Sequence, residues 1–170
     1  MSTATGVTPP SWKQLLLHAL QANSHLNHSS YFQFATVGAN GRPSNRTVVF
    51  RGFQDETDRI QINTDSRSRK IEDLKHCPFA EQREKSWFAS SLRSRMQYLG
   101  PEPGLPSISE ELPKDFSLDP SAGPVSAFCL LVLDPEKVDC LNLKTNTRQV
   151  FECSRSLNGD KCWSSGRINP

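Results

Sequence analysis

Three short segments decide the fold of this chain: R-T-V-V-F-R-G-F at residues 46–53, R-I-Q-I-N at 59–63 and T-D-S-R-S-R-K at 64–70. The first places a β-branched and aromatic run between two arginines, which is typical of a strand that packs on a pleated surface. In the second, Ile60 and Ile62 alternate with polar residues, so one face is expected to be buried and the other solvated. The sequence therefore predicts two strands that lead into a basic turn.

The basic turn is expected to bind an anion. Ser66 and Ser68 are suitable N-caps for a helix that begins at Arg69, and the unpaired N–H groups of a helix start attract phosphate. The turn also holds three cations, Arg67, Arg69 and Lys70. Residues 42–70 contain seven arginines and lysines against four acids, an excess of three in a chain whose net charge is +2. The alternative interpretation is an ordinary solvated turn, since most charge runs lie on the surface.

Length and composition favour one globular domain. The 170 residues, 35% hydrophobic and 22% charged, suffice for a modest core. Residues 1–10 are expected to form a flexible leader and residues 11–170 a single domain, with 101–124 as a proline-rich loop. Beyond the basic turn, no stripe of Lys and Arg is interleaved with aromatic residues, so we expect no nucleic-acid partner.

The spacing of cysteines and histidines argues against disulfides and metals. The five cysteines are odd in number, widely spaced and lack a C-x-x-C pair, which favours reduced thiols in a cytoplasmic compartment. The four histidines do not fall at i, i+4 on one helix, so no metal site is expected. The N-terminus lacks the regions of a signal peptide, and no apolar run reaches the roughly 18 residues that a membrane span needs. We expect a cytoplasmic protein without a membrane partner.

The remaining pattern predicts a mainly β fold with flanking helices. A capping box at Ser11 begins an amphipathic helix that runs to about Ala22, and Asn40-Gly41 predicts a tight turn between two strands. Strands are expected at 31–37, 45–51, 59–63, 125–133, 138–143, 148–153 and from 162 onward, and a long helix at 81–99. Seven strands with helices at the edges indicate a small antiparallel barrel.

Taken in this order, the motifs resemble the pyridoxamine 5′-phosphate oxidase family. R-T-V-V-F-R, the following I-N-T, and S-R-K opening a helix are similar to that family's flavin-phosphate motif. The helix R-E-K-S-W-F-A-S-S-L-R-S-R-M-Q-Y-L, followed by G-P-E-P-G, resembles a shorter-chain branch, and the terminal W-x-x-x-R-I-N-P is similar too. The resemblance implies an antiparallel, Greek-key FMN-binding split β-barrel that works as a homodimer, with the flavin at the subunit interface.

The resemblance also implies the site residues. Those that would contact FMN are Arg46, Thr47, Val48, Val49, Phe50 and Arg51, then Asn63 and Thr64, then Ser68, Arg69 and Lys70 at the phosphate, and Arg148 from the C-terminal hairpin. Candidate cations for the substrate phosphate are Arg51, Arg93 and Arg95, and no acid–base residue is assigned. Arg148 can also be interpreted as an ordinary strand-edge arginine, and Arg93 and Arg95 as a solvated helix face.

The implied reaction belongs to vitamin B6 metabolism and pyridoxine biosynthesis. A hydride equivalent passes from pyridoxamine or pyridoxine 5′-phosphate to FMN, O2 is the final acceptor, and pyridoxal 5′-phosphate is the product. The cofactor carries this chemistry, and the protein positions the two phosphates.

Departures from the family pattern lead to an alternative function. Glu81 passes directly into Gln82 where the family has about thirty more residues forming two barrel strands, a loss that would expose strand edges. The family's substrate-contacting R-x-H pair aligns with Lys144-Thr145-Asn146, and Arg51 stands where lysine is usual. The alternative is an FMN-binding or dimerising family member with little or no oxidase activity. A basic interaction module is a third hypothesis, supported by the basic turn alone.

Overall fold

A computed structural model describes residues 11–38, 40–74, 80–105 and 117–170. Its elements are α1 (Trp12–Ala22), β1 (Tyr31–Val37), β2 (Pro43–Val49), β3 (Ile60–Asp65), α2 (Arg69–Asp73), α3 (Ala80–Ala89), α4 (Leu92–Met96), a 3-10 turn (Gln97–Leu99), β4 (Phe128–Leu133), β5 (Lys137–Asn142), β6 (Thr147–Arg155) and β7 (Lys161–Ile168). The seven strands agree with the seven predicted. The leader at 1–10 lies outside the described residues.

The chain divides into two compact units. The central unit, named for its place in the sequence, comprises Tyr31–Asp55 and Ile60–Leu133. The terminal unit comprises α1, residues 56–59 and residues 134–170.

A tight hairpin opens the central unit, as predicted. Gly41 has a φ of +72°, which a glycine adopts without the steric cost that other residues meet. Gly38 N donates to Arg42 O at 3.0 Å, and Asn40 Oδ1 accepts from Arg42 N at 3.0 Å, so these four groups are paired within the turn. β1 and β2 then pair antiparallel, from Tyr31 opposite Val49 to Val37 opposite Pro43.

The strand β3 joins the hairpin to β4. It pairs antiparallel with β4, from Ile60 opposite Leu133 to Asp65 opposite Phe128. On its other side, Arg51 N donates to Gln61 O at 3.0 Å and Gln61 N donates to Gly52 O at 2.9 Å. The buried core consists of Phe34, Val48 and Ile62, with Phe32, Ile60, Leu74, Leu131 and Leu133 packed against it. The apolar positions of the alternating strands therefore meet on one side, as their period predicts.

An aromatic cluster attaches α3 to β4. Trp87 and Phe128 are fully buried, and their rings lie edge to face with centroids 5.1 Å apart. The Tyr98 ring lies 5.0 Å from that of Phe128, also edge to face. Arg83 Nε donates to Phe128 O at 2.8 Å, so polar and apolar contacts fix the same helix.

The terminal unit is a three-stranded antiparallel sheet, β5-β6-β7, with α1. The capping box at Ser11 is present, with Ser11 N donating to Gln14 Oε1 at 2.8 Å. Trp12, on α1, packs edge to face on Trp163 with centroids 5.6 Å apart. The strands expected at 138–143 and 148–153 are present as β5 and β6, which pair in a hairpin around residues 144–147 with Asn142 opposite Thr147.

The prediction of one helix over 81–99 is wrong. The helix is interrupted at Ser90 and Ser91, which separate α3 from α4. Ser91 Oγ accepts from Ser94 N at 3.2 Å and caps α4, while Ser90 Oγ donates to Ser86 O at 3.0 Å. Serine hydroxyls that bond to nearby backbone compete with helix hydrogen bonds, and this explains the break.

Strand boundaries also differ from prediction. The strand expected from residue 125 begins at Phe128, and the strand expected over 45–51 is β2, Pro43–Val49. The described parts of the proline-rich loop, 101–105 and 117–124, contain neither helix nor strand, and 106–116 lie outside the described residues.

The described strands form three separate sheets, ordered β1-β2, β3-β4 and β5-β6-β7. Within these residues the barrel is not closed. None of the described helices is long and apolar enough to cross a membrane.

Replacing Ile62 by alanine is expected to lower the free energy of unfolding by about 2–5 kcal/mol, because the side chain has no solvent exposure and its loss leaves a cavity. Ile62→Val should cost only about 0.5–1.5 kcal/mol. Leu143→Ala, at a side chain that is 81% exposed, is the control and should change stability by less than about 0.5 kcal/mol. Urea unfolding measures all three, and equal losses for Ile62→Ala and Leu143→Ala would contradict the assigned core.

Candidate cofactor site

The basic turn between β3 and α2 is ordered by its own ion pair. Arg67 Nη2 lies 2.7 Å from Asp65 Oδ2, and Arg67 N donates to Asp65 Oδ1 at 2.8 Å. Partial burial would raise the pKa of Asp65, but the hydrogen bonds and charge of Arg67, together with Lys70, outweigh it and hold that pKa below its usual value. Arg67 is therefore largely engaged within the turn.

Ser68 occupies the N-cap position of α2, but its hydroxyl does not cap the helix. The buried Ser68 Oγ donates to Asp65 O at 2.6 Å and accepts from Lys70 Nζ at 2.8 Å. α2 is also only five residues long. The anion binding that the sequence predicts at this turn would therefore depend on side chains rather than on a helix N-terminus.

Lys70 lies close to Arg46 of β2. Partial burial lowers the pKa of Lys70, and the positive charge of Arg46 lowers it further, against the opposing influence of Asp65 and Cys129. Two cations that repel each other in this way would both gain from an anion between them. Arg69, on the outer side of the turn, is exposed.

Two side chains that the motif does not contain hold Arg46. Arg46 Nη1 donates to Thr36 Oγ1 at 2.5 Å and to Phe34 O at 3.4 Å. Arg46 Nη2 lies 3.7 Å from Asp73 Oδ2, which also accepts from Thr36 Oγ1 at 2.6 Å. Sequence reasoning missed Thr36 and Asp73, because they lie 10 residues before and 27 residues after Arg46 and carry no motif.

Residues 47–50, which the resemblance implies as FMN contacts, differ in how exposed their side chains are. Thr47 Oγ1 accepts from Gln33 Nε2 at 2.9 Å, whereas Val48 is buried in the core, so its side chain is not available to a ligand. The half-buried Val49 precedes Phe50, which packs edge to face on Phe53 with centroids 5.2 Å apart.

Arg51 is exposed and lies near Tyr98. Burial raises the pKa of Tyr98, and the positive charge of Arg51 opposes that rise. Arg51 is thus a cation at the edge of the aromatic cluster.

On β3, the predicted contacts point to opposite faces. Asn63 accepts from Ser86 Oγ at 2.6 Å and donates to Ser90 Oγ at 3.0 Å, so its side chain is held by α3. Thr64 is buried, with its Oγ1 3.5 Å from Ser68 Oγ. The sequence analysis did not single out Ser86 and Ser90, the two serines that hydrogen-bond the Asn63 side chain.

The remaining predicted cations have different surroundings. Arg93 is exposed on α4, whereas Arg95 is 7% exposed, donates to Pro120 O at 3.0 Å and lies over the Trp87 ring. Arg148 lies on β6 in the terminal unit, where its guanidinium donates to both oxygens of Asp139. The structure thus gathers Arg46, Ser68 and Lys70 in one place and gives Arg95 and Arg148 partners of their own.

The chain has close relatives among known proteins. A family model described as the FMN-binding domain of pyridoxamine 5′-phosphate oxidase matches residues 9–99. The protein named pyridoxine/pyridoxamine 5′-phosphate oxidase 2 of Arabidopsis thaliana is 54% identical over 198 aligned positions, which cover 98% of this chain and 99% of that protein.

Two solved structures have the same fold. A pyridoxamine 5′-phosphate oxidase-related, FMN-binding protein from Nostoc punctiforme superposes with a TM-score of 0.79 at 32% identity, covering 96% of this chain and all of that one. PhzG from Burkholderia lata has a TM-score of 0.60 at 17% identity, covering 99% of this chain and all of that one, and shows the fold alone.

This chain belongs to the pyridoxamine 5′-phosphate oxidase family of FMN-binding proteins. The expected family, its mainly β fold of antiparallel strands with flanking helices and its cofactor FMN are thereby confirmed.

The alignment with the Arabidopsis protein also bears on the expected internal shortening. It spans 198 positions, while 98% of this 170-residue chain is about 167 residues, so about 31 positions have no residue from this chain. Because both proteins are covered almost end to end, most of these positions are internal. Their number agrees with the missing segment of about thirty residues, and its location after Glu81 stays a prediction.

The affinity for FMN is expected to fall as pH rises through the pKa of Lys70, which lies below the usual lysine value. Protonated Lys70 attracts the phosphate, and the phosphate itself is already a dianion above about pH 7, so deprotonation of lysine is the change that weakens binding. Flavin fluorescence quenching against pH measures this. Lys70→Arg should remove the decline, because arginine stays protonated. An equal decline in the variant, or with riboflavin as ligand, would contradict the assignment.

Proposed function

We propose that this chain is an FMN-dependent oxidase that converts pyridoxamine or pyridoxine 5′-phosphate to pyridoxal 5′-phosphate with O2 as acceptor. The observation that carries the proposal is the group of cations at the basic turn. Lys70 Nζ donates to the buried Ser68 Oγ at 2.8 Å, and Arg46 Nη2 lies 3.7 Å from Asp73 Oδ2 on α2, the helix that also carries Lys70. Ser68 and Lys70 belong to the S-R-K motif that resembles the family's flavin-phosphate motif. The Arabidopsis relative, 54% identical along nearly its whole length, is named for this activity.

The residues of the site would bind and orient, since FMN when bound supplies the hydride acceptor. In this proposal Ser68, Arg69 and Lys70 hold the FMN phosphate. The strand Arg46–Arg51, with Asn63 and Thr64, lines the flavin. Arg148 contributes from the C-terminal hairpin, and Arg51, Arg93 and Arg95 are candidates for the substrate phosphate. The burial of Arg95 and its bond to Pro120 O favour a structural role for that residue over substrate contact.

We further propose that residues 11–170 act as one functional domain in a cytoplasmic homodimer. An exposed apolar patch on α3 and α4 supports the dimer: Phe88 is 45% exposed, Leu92 38% and Met96 37%. Trp87, also on α3, is buried in its own chain and does not belong to this surface. Clustered apolar exposure of this kind marks interfaces.

A second candidate function is flavin binding with little oxidase activity. It is favoured by the roughly 31 alignment positions that this chain lacks and by the three separate sheets of the described residues. Reacting atoms must approach to about 3–3.5 Å, and misplacement by 1 Å can cost about a hundredfold in rate. A barrel with two strands fewer would hold flavin and substrate less firmly.

The chain is expected to oxidise pyridoxamine 5′-phosphate at least about a hundredfold more slowly than a full-length relative, for this geometric reason. Inserting a family-like segment between Glu81 and Gln82 should restore flavin retention and rate. Asn146→His, which supplies only the missing imidazole, is the matched comparison and should recover little. Pyridoxal 5′-phosphate formation and the flavin content of the purified protein are the measurements. Full activity of the unmodified chain would contradict the hypothesis that those strands are needed.

Charged residues in the apolar patch are expected to separate the subunits, because burying an unpaired charge in an interface is costly. Leu92→Glu with Met96→Glu should convert a dimer to a monomer in light scattering. Leu143→Glu, at an exposed leucine of the terminal unit, is the control and should leave the dimer intact. A wild-type chain that is monodisperse and monomeric would refute the proposed assembly.

A further inference from the structure

Thr36 and Asp73, together called the anchor, hold Arg46 from inside the protein, while the Arg46 side chain itself is partly exposed. Thr36 is 7% exposed, the Asp73 side chain is 7% exposed, and the Arg46 side chain is 22% exposed. The anchor comes from two elements, since Thr36 lies on β1 and Asp73 is the last residue of α2. The cation is thereby tied to β1 and to α2, the helix that follows the basic turn.

The hydrogen bonds in this anchor have one possible direction. A guanidinium has no acceptor, so Arg46 must donate to Thr36 Oγ1. The hydroxyl has a single hydrogen, which it donates to Asp73 Oδ2 at 2.6 Å. The result is a directed chain from Arg46 through Thr36 to a buried carboxylate, in which each bond to a charged group is stronger than a neutral one.

The anchor acts against a repulsion. Arg46 contacts Asp73 at 3.7 Å, and Asp73 lies three residues after Lys70 on the short helix α2, so the two cations lie at the same helix. The positive charge of Arg46 accordingly lowers the pKa of Lys70. Without a restraint, a long arginine side chain would move away from the lysine and gain rotamer freedom. The Asp73 carboxylate offsets the repulsion on Arg46 and holds that arginine at α2 before any anion arrives, while Lys70 is held by Ser68.

We propose that Thr36 and Asp73 are positioning residues that hold Arg46 beside Lys70, and that they thereby set the preference for a phosphorylated flavin over the unphosphorylated one. Neither residue contacts the ligand; both act through Arg46. This inference rests on the proposed function, because it assumes that the Arg46–Lys70 pair receives the FMN phosphate.

The contrary hypothesis predicts a change of opposite sign. If Asp73 merely neutralised Arg46, its removal would leave a more positive site and strengthen FMN binding. If the anchor were only structural, its loss would weaken riboflavin and FMN alike. The ratio of the two affinities distinguishes these cases.

The experiment titrates each purified variant with FMN and with riboflavin and follows the quenching of flavin fluorescence. Thr36→Val keeps the shape and every charge but removes the bridging hydroxyl, and Thr36→Ser keeps the hydroxyl. Asp73→Asn removes the charge, and Asp55→Asn removes an equal charge from a side chain that is 76% exposed and paired with Lys85.

We expect Thr36→Val and Asp73→Asn to lower the FMN-to-riboflavin affinity ratio by about tenfold or more, as loss of a charge-assisted contact should. Riboflavin affinity should stay within about twofold, and Thr36→Ser and Asp55→Asn should keep the wild-type ratio. In an Arg46→Ala background, adding Asp73→Asn should change the ratio no further, because Asp73 acts only through Arg46.

An unchanged or increased ratio in Thr36→Val and Asp73→Asn, or an equal loss for both flavins, would overturn the inference while leaving FMN binding intact. A wild-type chain with no preference for FMN would overturn the proposed function as well. If Asp73→Asn does not fold, as judged by circular dichroism, the Thr36 pair decides alone because it alters no charge.

Discussion

The alternation of β3 is the constraint on which the central unit depends. Successive side chains of a strand point to opposite faces, so the same six residues serve two surroundings. Ile62 fills the core and Thr64 reaches Ser68 at the basic turn, while Asn63, between them, is held by the serines of α3. A shift of one residue in the register with β4 would exchange these surroundings and place an amide in the core. The cation pair at the turn therefore depends on a hydrophobic residue two positions before Thr64.

The local patterns of the sequence predicted the local structure well. The turn at Asn40-Gly41, the capping box at Ser11 and the hairpin at 144–147 each involve residues close together in the chain, where side-chain chemistry determines the conformation. The prediction of one long helix was wrong because the apolar spacing continues through Ser90 and Ser91. Only the hydrogen bonds of the two hydroxyl groups, seen in the structure, show that the helix is interrupted there. A pair of serines inside an apolar repeat was the available signal.

In the candidate site, too, the sequence located the residues of the local motif but missed the contacts between residues far apart in the chain. The motif located Arg46, Ser68 and Lys70, which the structure brings together. It gave no indication of Thr36 or Asp73, because their contact with Arg46 depends on the pairing of β1 with β2 and on the packing of α2. Nor did it distinguish Val48, whose side chain belongs to the core, from its neighbours Thr47 and Val49. Contacts between distant positions depend on tertiary packing, which no spacing rule describes.

The pairing of Arg148 with Asp139 has a thermodynamic consequence for any ligand that this arginine receives. Arg148 Nε lies 2.9 Å from Asp139 Oδ1 and Nη2 lies 2.6 Å from Oδ2, with both side chains more than a third exposed. Binding would exchange one set of charge-assisted hydrogen bonds for another, so the net gain would be the small difference between two favourable states. Asp139 therefore competes with the ligand for Arg148, and the strength of its bond sets how strong a hydrogen-bond acceptor the ligand must present to displace it.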